Sequence, residues 1–295
     1  MKSAKTQKSL FRFLYLSIIL ANLLLLPGTV LGEGEKLRMA FLPNMSQSEI
    51  LNTFTPFIQE LEKETGMDVK VVVGKDYSAV IDMFCSNRID IGMLGAFPLV
   101  EAQDECGVKV FVRNLEAAKK SDPPKEAYHS IIITRNDSGI NSLKDLRNRS
   151  FSFTDPKSTS GFLLPMLALL KKGLALENLG KVSYVKKHAN SLLAVFDRQV
   201  EAGALSEDIY IRGEGVNINE IKVLWKSEPV YHGPWAASKA VTPEKLEIIR
   251  SAFLKISGSS NADKIFETSY IKGFVPATDK DYAIARKLLK LKDSL

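Results

Sequence analysis

The segment DPKSTSGFLLP, residues 155–165, decides how the chain is interpreted. It lies between a strand-like stretch, SFSFT, and an apolar run that predicts a helix over 162–172. Ser158, Thr159 and Ser160 stand where that helix should begin, beside free backbone N–H groups and a partial positive charge. Three neutral hydroxyl donors, with Gly161 allowing close approach to the backbone, predict a site for a tetrahedral anion. The alternative is that one hydroxyl caps the helix and the others face solvent.

Strand-like and helical segments alternate on both sides of this segment, which predicts an α/β protein. We expect two lobes, each with a mixed, mostly parallel sheet flanked by helices. Two proline-bearing crossings, near 125–130 and 228–236, should act as a hinge. The predicted first lobe comprises 33–127 and is completed by a helix-rich 233–295, with 128–232 inserted as the second lobe. Ligands of such sheets bind at the carboxyl ends of strands, so we expect the site in the cleft between the lobes.

Residues 1–32 have the pattern of an export signal. Four basic residues precede an apolar run of 14 residues, Phe13–Leu26, and small residues lead to a cleavage point near Gly32. A transmembrane anchor is the alternative, but it needs about 20 apolar residues. Cleavage would place the mature protein in the periplasm. It would also lower the formal net charge from +6 to +2, because the segment carries four positive charges and no negative ones. This charge argues against a nucleic-acid or membrane-surface protein.

Motifs of catalysis, metal binding and cofactor binding are missing from the sequence. The three histidines form no HExxH pair, and there is no GxSxG elbow, Walker loop or GxGxxG. We therefore expect no enzyme, no metal and no cofactor. The competing hypothesis is an exported enzyme for a phosphorylated substrate, with His188 as base and a serine of the hydroxyl run as nucleophile. Cys85 and Cys106 match no metal motif and are either paired, as export permits, or free and buried.

Three stretches carry a family resemblance: DYSAVIDMF…IDIGMLGAFPLVEA (76–102), EAYHSIIITRNDSGINSLKDLRNRSFSFTDPKSTSGFLLP (126–165) and HANSLLAVFDRQVEAGALSEDIY (188–210). In this order they resemble the periplasmic binding component of phosphate, phosphite and phosphonate ABC importers, which has the type II two-lobe fold. The resemblance implies capture of a small phosphorus oxyanion and delivery to a membrane permease, by a protein expected to be a monomer. A sensor-associated binding protein, or one for another anion such as a sulfonate, is the alternative within the same fold.

The resemblance also implies a set of binding residues. The hydroxyl run and the adjacent helix start would hold the phosphonate group, together with Tyr77, Tyr128 and His188. Relatives that bind aminoalkylphosphonates direct two carboxylates at the ligand amine. This chain has Asp208 at the first of these positions and Gly233 at the second. Without this carboxylate, recognition of a 2-aminoethyl group requires that Asp208 or His232 compensates. The sequence therefore does not specify which phosphorus compound is bound.

Overall fold

Two β-sheets and a short two-stranded ribbon organise the chain. The structure is a computed structural model that describes residues 34–44 and 46–293. Its strands are β1 (Lys36–Phe41), β2 (Asp68–Val73), β3 (Ile91–Met93), β4 (Lys109–Glu116), β5 (Ala127–Tyr128), β6 (Ser130–Arg135), β7 (Phe151–Phe153), β8 (Val182–Tyr184), β9 (Ala202–Ser206), β10 (Ile221–Lys226), β11 (Val230–Tyr231), β12 (Pro234–Ala237) and β13 (Ile271–Pro276).

Helices flank both sheets. They are α1 (Gln47–Thr65), α2 (Tyr77–Cys85), α3 (Ala96–Cys106), α4 (Leu164–Leu170), α5 (His188–Phe196), α6 (Glu207–Arg212), α7 (Pro243–Ser257), α8 (Ala262–Ile265) and α9 (Ala283–Asp293). The start of α1 has local causes visible in the sequence. Ser46 is its N-cap, and Glu49 completes a capping box by accepting from the Ser46 N–H at 2.6 Å.

The first lobe contains a six-stranded sheet in the order β13-β4-β12-β3-β1-β2. β1 pairs in parallel with β2 and β3, whereas β12 runs antiparallel between β3 and β4, and β13 runs antiparallel beside β4. The second lobe contains a five-stranded sheet, β10-β6-β9-β7-β8, with two parallel and two antiparallel pairs. The predicted α/β fold with two lobes and mixed sheets is confirmed. In the first sheet β12 and β13 run opposite to the other four strands, and in the second sheet β6 runs opposite to the other four, so most strands of each sheet share one direction.

The two crossings pair with each other. β5 and β11 form an antiparallel ribbon in which Tyr128 faces Val230 and Ala127 faces Tyr231. All strands of the second sheet lie between these two segments in the sequence, and β12 and β13 return to the first sheet after them. The predicted crossings near 125–130 and 228–236 contain this ribbon. The domain boundaries at 127/128 and 232/233 stay a prediction.

Aromatic side chains fill the core of the first lobe. Trp235 on β12 is fully buried and makes edge-to-face contacts with Phe41 and Phe253. Its indole N–H donates to Asn114 Oδ1 at 2.9 Å, so its polar atom is satisfied inside the core. This anchors β12 between β3 and β4, close to the crossing that precedes it.

The predicted export signal, residues 1–32, lies outside the described residues. Among the residues that the structure does describe, no helix combines the length and apolar character needed to cross a bilayer. The two cysteines do fall within the described part. Cys85 at the end of α2 and Cys106 at the end of α3 are joined by a disulfide.

This disulfide should make a measurable contribution to stability. It closes a loop with a sequence separation of 21 residues, which restricts the unfolded chain. We expect replacement of both cysteines by alanine to lower the free energy of unfolding in urea by about 3 kcal/mol. Adding reductant to the wild-type protein should produce a similar loss, and the double variant should not respond to it. Finding two free thiols in the unreduced, exported protein would contradict the pairing.

Candidate functional site

A cavity of about 560 Å³ lies between the two lobes. Seven of the eight sequence-predicted site residues line it: Tyr77, Tyr128, Ser158, Thr159, Ser160, His188 and Asp208. They come from both lobes and from the hinge ribbon. The eighth, Gly161, lies behind the wall of the cavity, and a Cβ atom there would be 1.8 Å from Thr154 Oγ1. A glycine is therefore required here by the close contact with Thr154, which follows β7. This reason differs from the predicted one, which was close approach of a ligand to the backbone.

The three hydroxyls of the run are buried and each makes a different contact. Ser158 Oγ accepts from the Gly161 N–H at 3.0 Å, so this serine is the cap that the alternative interpretation predicted. Thr159 Oγ1 accepts from the Phe97 N–H of the opposite lobe at 2.8 Å. Ser160 Oγ accepts from the Tyr128 hydroxyl at 3.3 Å. Because the Thr159 and Ser160 oxygens accept from protein donors, their own protons remain for an acceptor in the cavity.

The helix after the hydroxyl run begins differently from the prediction. Residues Thr159–Leu163 form a π-helical turn, and α4 continues from it as far as Leu170, instead of one helix over 162–172. A π turn is wider than an α turn, and such turns occur frequently at functional sites. Here it places Thr159 and Ser160 together on the wall of the cavity.

Two tyrosines add further neutral hydroxyls. Tyr77, at the start of α2, is 3% exposed and donates to Asn44 Oδ1 at 2.9 Å. Burial raises the pKa of its hydroxyl, with a further contribution from the charge of Asp155. Burial also raises the pKa of Tyr128, in the hinge, to about 12. Both phenols are therefore neutral at physiological pH and add no negative charge to the site.

His188, the first residue of α5, is held in one tautomer. Its Nδ1 accepts from the Ser206 backbone N–H at 3.0 Å, so the ring proton of the neutral form is on Nε2. Burial, together with the nearby positive charge of Arg212, lowers the pKa of His188 to about 4. The imidazole is thus a neutral N–H donor near neutral pH.

Another part of the cavity wall carries a cluster of acidic and imidazole groups. His232 is 3% exposed, and its Nδ1 lies 3.6 Å from Glu116 Oε2 and 3.9 Å from Asp208 Oδ2. Burial raises the pKa of Asp208, and the charge of Glu116 contributes to the same shift. The three residues offer ligand atoms within 4.8 Å of one another, which is close enough to contact one cation, either an ion or a charged substituent.

Sequence reasoning missed Glu116. The apolar pattern of the sequence predicts a strand over 108–112. In the structure β4 continues to Glu116 and delivers this carboxylate to the cavity. Asn114 Nδ2 donates to Glu116 Oε1 at 2.8 Å, and the same nitrogen would lie 3.3 Å from a Cβ atom at Gly233. The Glu116 carboxylate therefore lies next to the place that a side chain at position 233 would occupy. The presence of Glu116 in the cavity could have been predicted only from the full extent of the strand, and periodicity determines strand ends poorly.

This arrangement defines a class of protein: a two-lobed solute-binding protein with a hinge ribbon and an interlobe cleft. The class can be narrowed by comparison. Residues 39–282 match the family described as ABC transporter, phosphonate, periplasmic substrate-binding protein, and the chain belongs to this family. The resemblance of the three quoted stretches is thereby confirmed.

Two relatives agree with this assignment, and a solved structure shares the fold. The chain is 27% identical to the phosphate-import protein PhnD of Mycolicibacterium smegmatis, over 87% of this chain and 86% of the relative. It is 26% identical to the phosphonates-binding periplasmic protein of Escherichia coli, over 95% and 83%. PhnD1 of Prochlorococcus marinus, solved in complex with methylphosphonate, has the same fold with a TM-score of 0.76 at 20% identity, over 88% of this chain and 99% of that one.

The neutral state of His188 should appear in the pH dependence of stability. A folded-state pKa of about 4, below the ordinary value of 6.5, means that the unfolded chain binds the extra proton more readily. The contribution of neutral His188 to the free energy of unfolding is therefore complete above pH 6.5 and is lost as the pH falls towards 4. We expect His188→Asn, whose amide oxygen can accept from the Ser206 N–H, to lose less unfolding free energy than wild type between pH 7 and 4.5. Equal losses in urea titrations of the two proteins would show that His188 is not held neutral.

Proposed function

We propose that this protein is exported by cleavage near Gly32 and binds a small phosphorus oxyanion as a monomer, for delivery to a membrane permease of the ABC type. The observation that carries the proposal is the set of neutral donors that line the cavity: the hydroxyls of Thr159 and Ser160, the neutral His188, the buried Tyr77 and the partly buried Tyr128. Family membership supports the transport role, and the relatives named for phosphate and phosphonate import support the ligand class.

Neutral donors suit a doubly charged phosphorus group. The ligand brings its own negative charge into the cleft, and hydrogen bonds to a charged acceptor are about twice as strong as those between neutral groups. An empty site lined by fixed cations would have to keep buried charges without a partner. Hydroxyls and a neutral imidazole avoid this problem, because a buried neutral donor without a partner costs far less free energy than a buried charge without one.

We further propose that the ligand has a positively charged substituent, as in the aminoalkylphosphonates. Glu116, Asp208 and His232 place two carboxylates beside a buried ring, and an ammonium group there would remove their mutual repulsion. Tyr128 links the two ends of the cavity, since its hydroxyl contacts Ser160 and its ring stacks on His232 at 5.0 Å. A ligand that touches both ends is therefore short. Glu116 would supply the carboxylate that Gly233 lacks.

We propose that the protein does not turn over its ligand. A serine nucleophile requires a base within hydrogen-bonding distance. Among residues 34–44 and 46–293, no hydrogen bond joins His188 to Ser158, Thr159 or Ser160. Incubation with 2-aminoethylphosphonate or a phosphate monoester should therefore release no phosphate.

The binding proposal is tested by calorimetry on the mature protein with methylphosphonate, phosphite, phosphate, 2-aminoethylphosphonate and sulfate. We expect the phosphorus compounds to bind and 2-aminoethylphosphonate to bind most tightly. Ser160→Ala should weaken binding of each of them by about 10- to 100-fold, because it removes a hydrogen bond to a charged group. Ser251→Ala, an exposed hydroxyl on α7, is the control and should leave affinity unchanged. If no phosphorus compound binds at millimolar concentration, the ligand class is wrong.

The role of Glu116 is tested separately by Glu116→Gln. We expect the affinity for 2-aminoethylphosphonate to fall by about 10- to 100-fold, because a charge-assisted hydrogen bond is lost, while methylphosphonate affinity changes less than about threefold. Adding Gly233→Asp to this variant should restore part of the loss. Gly233→Ala in the same background is its matched control, because it adds the Cβ atom without the carboxylate. Equal losses for the two ligands would contradict a charged substituent at this end of the cavity.

A further inference from the structure

An apolar cluster joins the two lobes directly behind the hydroxyl run, outside the cavity. Phe97 of α3, in the first lobe, is fully buried against Leu163 and Leu167 of the second lobe, which are 1% and 7% exposed. Leu288 of α9 packs against the same cluster. None of these four side chains lines the cavity. We refer to Phe97, Leu163, Leu167 and Leu288 as the interlobe seam.

Polar contacts cross between the lobes beside the seam. The Phe97 N–H donates to Thr159 Oγ1 at 2.8 Å, and Lys157 Nζ lies 2.9 Å from Glu101 Oε1. Thr159 and Lys157 belong to the second lobe, whereas Phe97 and Glu101 lie on α3 of the first. The same few residues therefore carry an apolar contact, a hydrogen bond and an ion pair across one junction.

The C-terminal helix enlarges the first lobe's side of this junction. Arg286 of α9 donates to Gln103 Oε1 on α3 at 2.7 Å and forms an ion pair with Asp104. These contacts fix α9 to α3, and Leu288, which packs against the seam, follows Arg286 by two residues. The helix thus extends from the first lobe onto the second.

The position of the seam connects it to closure of the cleft. Gly95 and Ala96, which immediately precede Phe97, line the cavity on the first-lobe side, and Ser158, Thr159 and Ser160 line it on the other side. A hinge motion that parts these walls also parts Phe97 from Leu163 and exposes their apolar surfaces to water. The seam is therefore buried when the walls are together.

We propose that the interlobe seam stabilises the closed form independently of the ligand and thereby sets the affinity of the cleft. This inference rests on the proposed function only for the identity of the ligand. A protein that is closed for a larger fraction of the time binds more tightly, because the apparent dissociation constant is the intrinsic one divided by the competent fraction. Leu288 would then control affinity without touching the ligand.

The test compares Leu288→Ala with Ile284→Ala, one turn earlier on α9, where the side chain is 55% exposed. Small-angle scattering of the ligand-free proteins measures closure, and calorimetry with 2-aminoethylphosphonate and methylphosphonate measures affinity. For Leu288→Ala we expect a larger radius of gyration and an approximately tenfold weaker affinity, by the same factor for both ligands. Ile284→Ala should match wild type in both measurements.

An unchanged radius of gyration and affinity would overturn the proposal, because the seam would then not stabilise the closed form. A tighter affinity would also overturn it, because the seam would then favour the open form. Lys157→Gln tests the same junction from the second lobe and should also open the ligand-free protein, which covers the case in which Leu288→Ala fails to fold. The scattering measurement needs no ligand. If the phosphonate assignment is wrong, the scattering result can therefore still be interpreted. If the proposal about the seam is wrong, phosphonate binding is still expected.

Discussion

The hydrogen bond from the Phe97 N–H to the Thr159 hydroxyl is the contact on which the cleft depends. It joins the start of a helix in one lobe to the hydroxyl run of the other, and both partners are buried. An amide N–H at a helix start has no partner within its own helix, so it must find one elsewhere or remain unsatisfied. Gly95, which precedes this helix, has no side chain to cap it. The second lobe supplies the missing acceptor, and the fit of the two lobes is fixed at this point.

The rest of the cavity follows from that fit. With Thr159 held by Phe97, its neighbours Ser158 and Ser160 face Tyr77 and Tyr128, and the imidazole of His188 is fixed from behind by Ser206. Few of these groups are free to rotate, which reduces the entropy lost when a ligand is bound. The donors that line the cavity at the hydroxyl run are neutral, whereas Glu116 and Asp208 place two carboxylates near His232. The cavity is therefore polarised along its length, and a dipolar ligand has one favourable orientation in it.

Local sequence signals were sufficient for much of this description. The alternation of strands and helices and the two proline-bearing crossings are local signals, and they predicted the two lobes correctly. The resemblance pointed to seven residues that the structure brings to one cavity. What failed depends on contacts between elements, which the local pattern of residues does not show. Gly161 is explained by Thr154 across a turn, and Glu116 required the extent of β4, whose last residues pair with β13. The direction of β12 likewise depends on neighbours more than 100 residues earlier in the chain.

The position of β12 also bears on how the chain acquires its structure. This strand lies between β3 and β4, and it is made only after the whole of the second sheet. While the chain is being synthesised, β3 and β4 therefore keep unpaired edges until β12 is available, whereas β6 to β10 already have their partner strands. Contacts of high sequence separation form slowly, and unpaired strand edges favour aggregation. The second lobe should thus fold first as the chain emerges, and the arrival of Trp235 should be the late step that completes the first.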